Sequence, residues 1–131
     1  MIEFVRVCTL MVVLSVAVGC GAKKPKLVEV TGKVLQNGQP VTAGSIWFHP
    51  DVGNPWTGEK SSCLLQLDGS FAMRTYPYGD GVPPGKYKVT LLPELANRLR
   101  LPNLSNPEKT TLSIDVPETG IRDRVFELPQ S

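Results

Sequence analysis

The sequence has few of the residues that build catalytic sites or disulfide frameworks. Its 131 residues include three cysteines and one histidine, His49. Cys8 and Cys20 belong to an apolar segment near the amino terminus, which leaves Cys63 without an intramolecular disulfide partner. No Gly-x-Ser-x-Gly, His-x-x-Glu-His or Cys-x-x-Cys spacing occurs, so the motifs of serine hydrolases and zinc sites are missing. We therefore predict no catalytic residue, no metal site and no cofactor.

Neither positive nor negative charge predominates in the sequence. The formal net charge is +2, and the basic residues cluster only at Lys23, Lys24 and Lys26. A nucleic-acid-binding face usually needs a broader basic patch, so we exclude DNA and RNA as partners. The length allows one hydrophobic core. The 12 glycines and 12 prolines favour many short strands over a few long helices.

The amino-terminal segment has the features of an export signal. Its apolar run, Val7 to Gly19, covers 13 residues, fewer than the roughly 20 that span a bilayer. That length is typical of a secretory signal peptide. The Ala17-Val18-Gly19-Cys20 sequence that ends the run resembles the lipobox of bacterial lipoproteins. The resemblance implies that residues 1–19 are a signal peptide, that Cys20 becomes lipidated on its sulfur and its new amino group, and that residues 20–26 form a flexible tether.

Two other interpretations of this segment remain open. Ordinary cleavage after Gly19 or Ala22 would release a soluble secreted protein, and an uncleaved segment would act as an anchor. In the lipoprotein interpretation, the partner is membrane lipid, which is bound through acylated Cys20, and the tether lysines face lipid headgroups. Gly21 in place of Asp after the cysteine implies, by the sorting rule of some double-membraned bacteria, an outer-membrane location facing the periplasm or the cell surface.

From Leu27 onward, apolar and polar residues alternate with the period of a half-buried strand. The pattern predicts seven strands, at residues 28–34, 45–49, 60–67, 70–75, 85–91, 111–116 and 124–128. Asn37-Gly38 and Asp68-Gly69 predict tight hairpin turns. Cys63, Leu65 and Leu67 are predicted to share the inward face, where a buried thiol is inert. Residues 94–99 predict one or two helical turns. The expected architecture is an all-β, seven-stranded antiparallel sandwich over residues 27–128.

Several motifs in these strands resemble one known domain family. They are Gly32-Lys-Val34, Asn37-Gly-Gln-Pro-Val41, Gly44-Ser-Ile-Trp-Phe48, Asp68-Gly-Ser-Phe71 and Pro84-Gly-Lys-Tyr-Lys-Val89. Their order and spacing resemble the carboxypeptidase-regulatory-like domain, which has a transthyretin-like (prealbumin-like) fold. The resemblance covers Leu27 to about Leu91 and extends to small bacterial lipoproteins that carry this domain alone. It implies a fold and no peptidase activity, because the metal ligands of the peptidases belong to a separate domain.

Four aromatic residues are the candidates for ligand binding. Trp47 is predicted on the outward face of a strand, Trp56 in the loop after it, and Tyr76 and Tyr78 in a Gly- and Pro-rich loop. Aromatic side chains offer large contact area with few rotatable bonds, which suits sugar rings or peptides. The alternative for these residues is local packing under the loops. His49 is interpreted as an exposed residue at a strand end.

The sequence therefore supports two functional hypotheses. The first is a non-catalytic, lipid-anchored cell-envelope protein whose sandwich is a binding or scaffolding module, with cell-wall glycan or envelope proteins as its expected partners. The second is a secreted soluble domain that binds carbohydrate or peptide. The state of Cys20 distinguishes the two.

Overall fold

The computed structural model describes residues 24–130. The predicted signal peptide (1–19), Cys20 and the tether up to Lys23 lie outside the described residues. Within residues 24–130, no helix is both long enough and apolar enough to cross a membrane.

The described chain folds into ten strands and two short helices. The strands, in chain order, are β1 (Val30–Gln36), β2 (Gln39–Pro40), β3 (Ser45–Pro50), β4 (Ser61–Leu64), β5 (Ser70–Ala72), β6 (Arg74–Thr75), β7 (Gly79–Asp80), β8 (Gly85–Leu91), β9 (Ser113–Val116) and β10 (Ile121–Leu128). Helix α1 (Pro93–Arg98) confirms the predicted helical turns, and a 3₁₀ helix follows at Pro102–Ser105. The architecture is all-β and consistent with a sandwich.

The strands form two sheets. In the first sheet, β1 lies between β10 on one side and β2 and β5 on the other. The second sheet has the order β7-β6-β4-β3-β8-β9. The predicted strand at 70–75 is divided between the sheets, because β5 pairs with β1 while β6 pairs with β4. The change of sheet occurs at Met73, whose backbone N–H donates to the carbonyl of Val30.

Two features of the predicted architecture need correction. Ten strands are present in residues 24–130 where seven were expected. The two-residue strands β2 and β7 are too short to show alternation, and the predicted strand at 70–75 is divided into β5 and β6. The sandwich is also not wholly antiparallel, since β10 runs parallel to β1, with Val34 opposite Phe126. The turn after β9 carries the chain to the other sheet, and β10 then runs in the same direction as β1.

Both sheets contribute to one hydrophobic core. The predicted inward residues of β3 and β8, which include Ile46, Phe48 and Val89, are completely buried. Alternation fails in the segment after β4, where Leu67 is 91% exposed because it belongs to the Gln66–Ser70 turn. Cys63 is only partly buried, although it packs against the core as expected. The predicted reversals at Asn37-Gly38 and at Gly69 are confirmed by positive φ angles.

The registers show which loops share an end of the sandwich. Pro50, the last residue of β3, lies opposite Tyr87 near the start of β8, and Gly85 lies opposite Val116 at the end of β9. Val30 at the start of β1 lies opposite Ile121 at the start of β10. The chain therefore enters the body beside loops 51–60, 76–84 and 117–120, which together we name the tether end. The turns at 37–38 and 66–69 form the opposite, far end.

Candidate functional site

The tether end brings together two of the predicted aromatic residues. The rings of Trp56 and Tyr78 meet edge to face, with centroids 5.9 Å apart and planes at 83°. The indole N–H of Trp56 donates to the carbonyl of Glu59 at 2.8 Å. Both side chains are partly exposed. The pair therefore shows the local packing of Trp56 and leaves part of its ring accessible, and ligand binding by Trp56 stays a prediction.

Asn54 holds the loop that carries Trp56. Its buried amide donates to the carbonyl of Lys86 at 2.7 Å, and its side-chain oxygen accepts the backbone N–H of Trp56 at 2.9 Å. Gly85 makes room for this amide, because a Cβ there would lie 2.5 Å from the Asn54 oxygen. The loop is thus fastened to the start of β8, which fixes the direction of the indole.

A buried pair of hydroxyls holds the second loop of the tether end. Thr75 donates to the carbonyl of Gly81 at 2.8 Å, and its hydroxyl lies 2.7 Å from that of Ser61. Because Thr75 has given its proton to Gly81, Ser61 must be the donor in the second hydrogen bond. Tyr76 follows immediately and is 84% exposed. Its ring lines a hollow with Ser62 and Arg74, separate from the hollow beside Trp56.

Trp47 lies apart from the other three aromatic residues. As predicted, it is on the outward face of β3, where its indole N–H donates to the hydroxyl of Ser45 at 2.8 Å. It lines a shallow hollow of about 280 Å³ together with His49 and Lys60. The four predicted aromatics therefore do not form a single platform. Three lie on loops of the tether end, and one lies on a sheet face.

His49, predicted to be exposed, is partly buried beside Trp47. Its Nε2 atom is 2.7 Å from the hydroxyl of Thr90 on β8. Burial lowers the pKa of the imidazole, and the positive charge of Lys60 lowers it further. Among residues 24–130, the side-chain contact of the ring is this hydrogen bond to Thr90. Within residues 24–130, no group of three His, Cys, Asp or Glu side chains has the geometry to hold a metal ion.

The sequence analysis did not single out one exposed apolar residue of the tether end. Val52 is 96% exposed in the loop after β3. An apolar residue between Asp51 and Gly53 was the available signal, because connecting loops generally run over the protein surface. Val52 adds an apolar side chain to the end that already carries Trp56 and Tyr76.

Comparison with known proteins assigns this chain to no family. The function is therefore inferred from the residues and their geometry. No protein-family model, no curated protein and no solved structure matches the chain.

Proposed function

We propose that this chain is a non-catalytic, lipid-anchored protein of the bacterial cell envelope whose β-sandwich body binds or organises other envelope components. The observation that carries the proposal is the Ala17-Val18-Gly19-Cys20 sequence at the end of an apolar run of signal-peptide length. Acyl chains on Cys20 would supply roughly 0.8 kcal/mol per buried methylene, and two or more chains suffice for stable anchoring.

The distance between Cys20 and the body supports this proposal. Lys26 already contacts the body, because its Nζ lies 2.7 Å from the Glu118 carboxylate, and Val28 pairs with Val82. Six residue steps separate Cys20 from Lys26, so even a fully extended chain spans at most about 22 Å. A lipid-held cysteine would keep the sandwich close to the membrane surface.

We extend the proposal to the fold family, a transthyretin-like domain similar to the carboxypeptidase-regulatory-like domain. Two of the motif positions have physical roles in the fold that support it. A Cβ on Gly32 would lie 1.9 Å from the carbonyl oxygen of Arg124, so only glycine permits this approach of β1 to β10. Tyr87 of the Pro-Gly-x-Tyr motif is buried, and its hydroxyl donates to the carbonyl of Pro83 at 2.6 Å.

The state of residue 20 tests the proposal, and the chain supplies its own control. Cells that express the full chain are fed a palmitate analogue, and the purified protein is weighed intact. We expect label on the wild type and on Cys63→Ala and no label on Cys20→Ala. The expected wild-type mass equals residues 20–131 plus a diacylglyceryl group on the sulfur and one acyl chain on the amino group. An unmodified chain cut after Gly19 or Ala22 would instead establish the alternative, a secreted soluble carbohydrate- or peptide-binding domain.

A further inference from the structure

The tether end carries exposed apolar and aromatic side chains that the fold itself does not need. Val52 is 96% exposed and Tyr76 is 84% exposed, while Trp56 is partly exposed between them in the sequence. Soluble proteins expose single apolar residues commonly, so exposure alone decides nothing. Leu67, at the far end, is equally open at 91%. The tether end differs from the far end because the chain enters the body there.

The last residues of the tether lie against this aromatic surface. Lys26 lines one hollow together with Trp56 and Pro84. The lipid proposed for Cys20 is therefore held within a few residues of the Trp56 loop. The far end is separated from the lipid by the full length of the strands.

This end carries charges of both signs, including Asp51, Glu59 and Lys60 in the loop with Trp56. Lys26 is paired with Glu118 at 2.7 Å, and Arg74 is paired with Asp80 at 2.9 Å. A surface with charges of both signs, prolines and aromatic rings does not match a strongly anionic or cationic ligand. It matches the boundary between headgroups and acyl chains, where Trp and Tyr side chains are enriched because one part of each ring is apolar and another is polar.

We propose that the tether end is a membrane-contact surface. Val52 and Trp56 rest on the phospholipid leaflet that holds the acyl chains of Cys20, and Tyr76 contacts the same leaflet. This inference rests on the proposed lipidation. It assigns Trp56 and Tyr76 to lipid contact instead of glycan binding. Trp47, on the outward sheet face of β3, makes no part of this surface.

The two tryptophans allow a direct test. The acylated full chain is reconstituted into vesicles of phosphatidylethanolamine and phosphatidylglycerol whose acyl chains carry bromine, a fluorescence quencher, near the headgroup. Trp47→Phe leaves Trp56 as the only emitter, and Trp56→Phe leaves Trp47. We expect brominated lipid to quench Trp56 several-fold more strongly than Trp47. Circular dichroism verifies that each variant retains its β-sheet spectrum.

A matched pair of charge substitutions tests the apolar contact. In the Trp47→Phe background, Val52→Asp is expected to remove most of the Trp56 quenching, because an ionised carboxylate resists transfer into the headgroup boundary. Leu67→Asp, an equally exposed site at the far end, is expected to change nothing.

The outcomes separate this inference from the proposed function. An unacylated Cys20 overturns both. Acylated protein that floats with the vesicles but shows equal quenching of both tryptophans, or no quenching of either, overturns the membrane-contact surface alone. A change of Trp56 emission on adding peptidoglycan fragments, with none on adding brominated lipid, assigns the surface to glycan and also overturns the inference.

Discussion

Replacing Thr75 by Val is expected to destabilise the protein by about 3 kcal/mol. The substitution keeps the shape of the side chain and removes one hydroxyl. That hydroxyl is completely buried, donates to Gly81 and accepts from Ser61, which is also completely buried. Its loss leaves one carbonyl and one hydroxyl without partners, and each buried unsatisfied group costs about 1–3 kcal/mol.

Ser61→Ala has a smaller predicted effect. It removes one neutral hydrogen bond and leaves Thr75 paired with Gly81, so we expect a loss of about 1 kcal/mol. The double variant is expected to lose about 2–3 kcal/mol, no more than Thr75→Val alone, because the hydroxyl orphaned by Thr75→Val is then absent. The two substitutions are therefore predicted to be strongly non-additive.

Urea unfolding, followed by tryptophan fluorescence and circular dichroism, measures these differences. At a slope of about 2 kcal/mol per M, the loss predicted for Thr75→Val lowers the midpoint by roughly 1.5 M. A shift of less than about 0.5 M would show that the hydroxyl pair does not hold the loop as argued. Additive effects in the double variant would refute the hydrogen bond between the two hydroxyls.

Three further predictions follow from the strands and their ionisable groups. Gly32→Ala should cost at least about 3 kcal/mol in urea unfolding, because its Cβ would overlap a backbone oxygen of β10; Gly38→Ala, in open space at φ +75°, should cost about 1 kcal/mol. Because the pKa of His49 is lowered in the folded protein, the unfolded chain binds a proton at this residue at a higher pH than the folded chain does. The free energy of unfolding should therefore fall as the pH drops below 6.5, and His49→Gln should flatten this dependence. Burial raises the pKa of Tyr87 from 10.0 to about 12, so stability should fall as the pH rises between these values, and Tyr87→Phe should abolish the fall. Unfolding curves across pH check the last two, and an unchanged slope in the substituted chain would contradict the assignment.

Alternation predicted the long strands well because each has one face in the core. The inward residues of β3, β8 and β10 could be identified from the sequence, since a period of two places successive side chains on opposite faces. The same signal does not identify a strand's neighbour. The parallel pairing of β10 with β1 depends on the course of the turn at 117–120, and the assignment of Leu67 failed because the turn began earlier than the alternation implied.

The candidate site was only partly accessible to sequence reasoning. Tyr76 and Tyr78 could be assigned to one loop because they are close in sequence. The contact between the rings of Trp56 and Tyr78 became visible only in the fold. The separation of Trp47 from Trp56 could not be foreseen, because it depends on how loop 51–60 folds back onto Lys86. Cys20 lies outside the described residues, so its lipidation stays a prediction.

The parallel ladder between β1 and β10 joins the two extremes of the described chain. Gln36 donates to the carbonyl of Pro129, 93 positions away. Contacts of such long range form late in folding, because the chain must close a large loop before it gains them. Under the proposed export route, the first sheet cannot be completed until the final strand has emerged from the translocation channel. Before that point, β1 lacks its parallel neighbour, and the body cannot reach the fold described here.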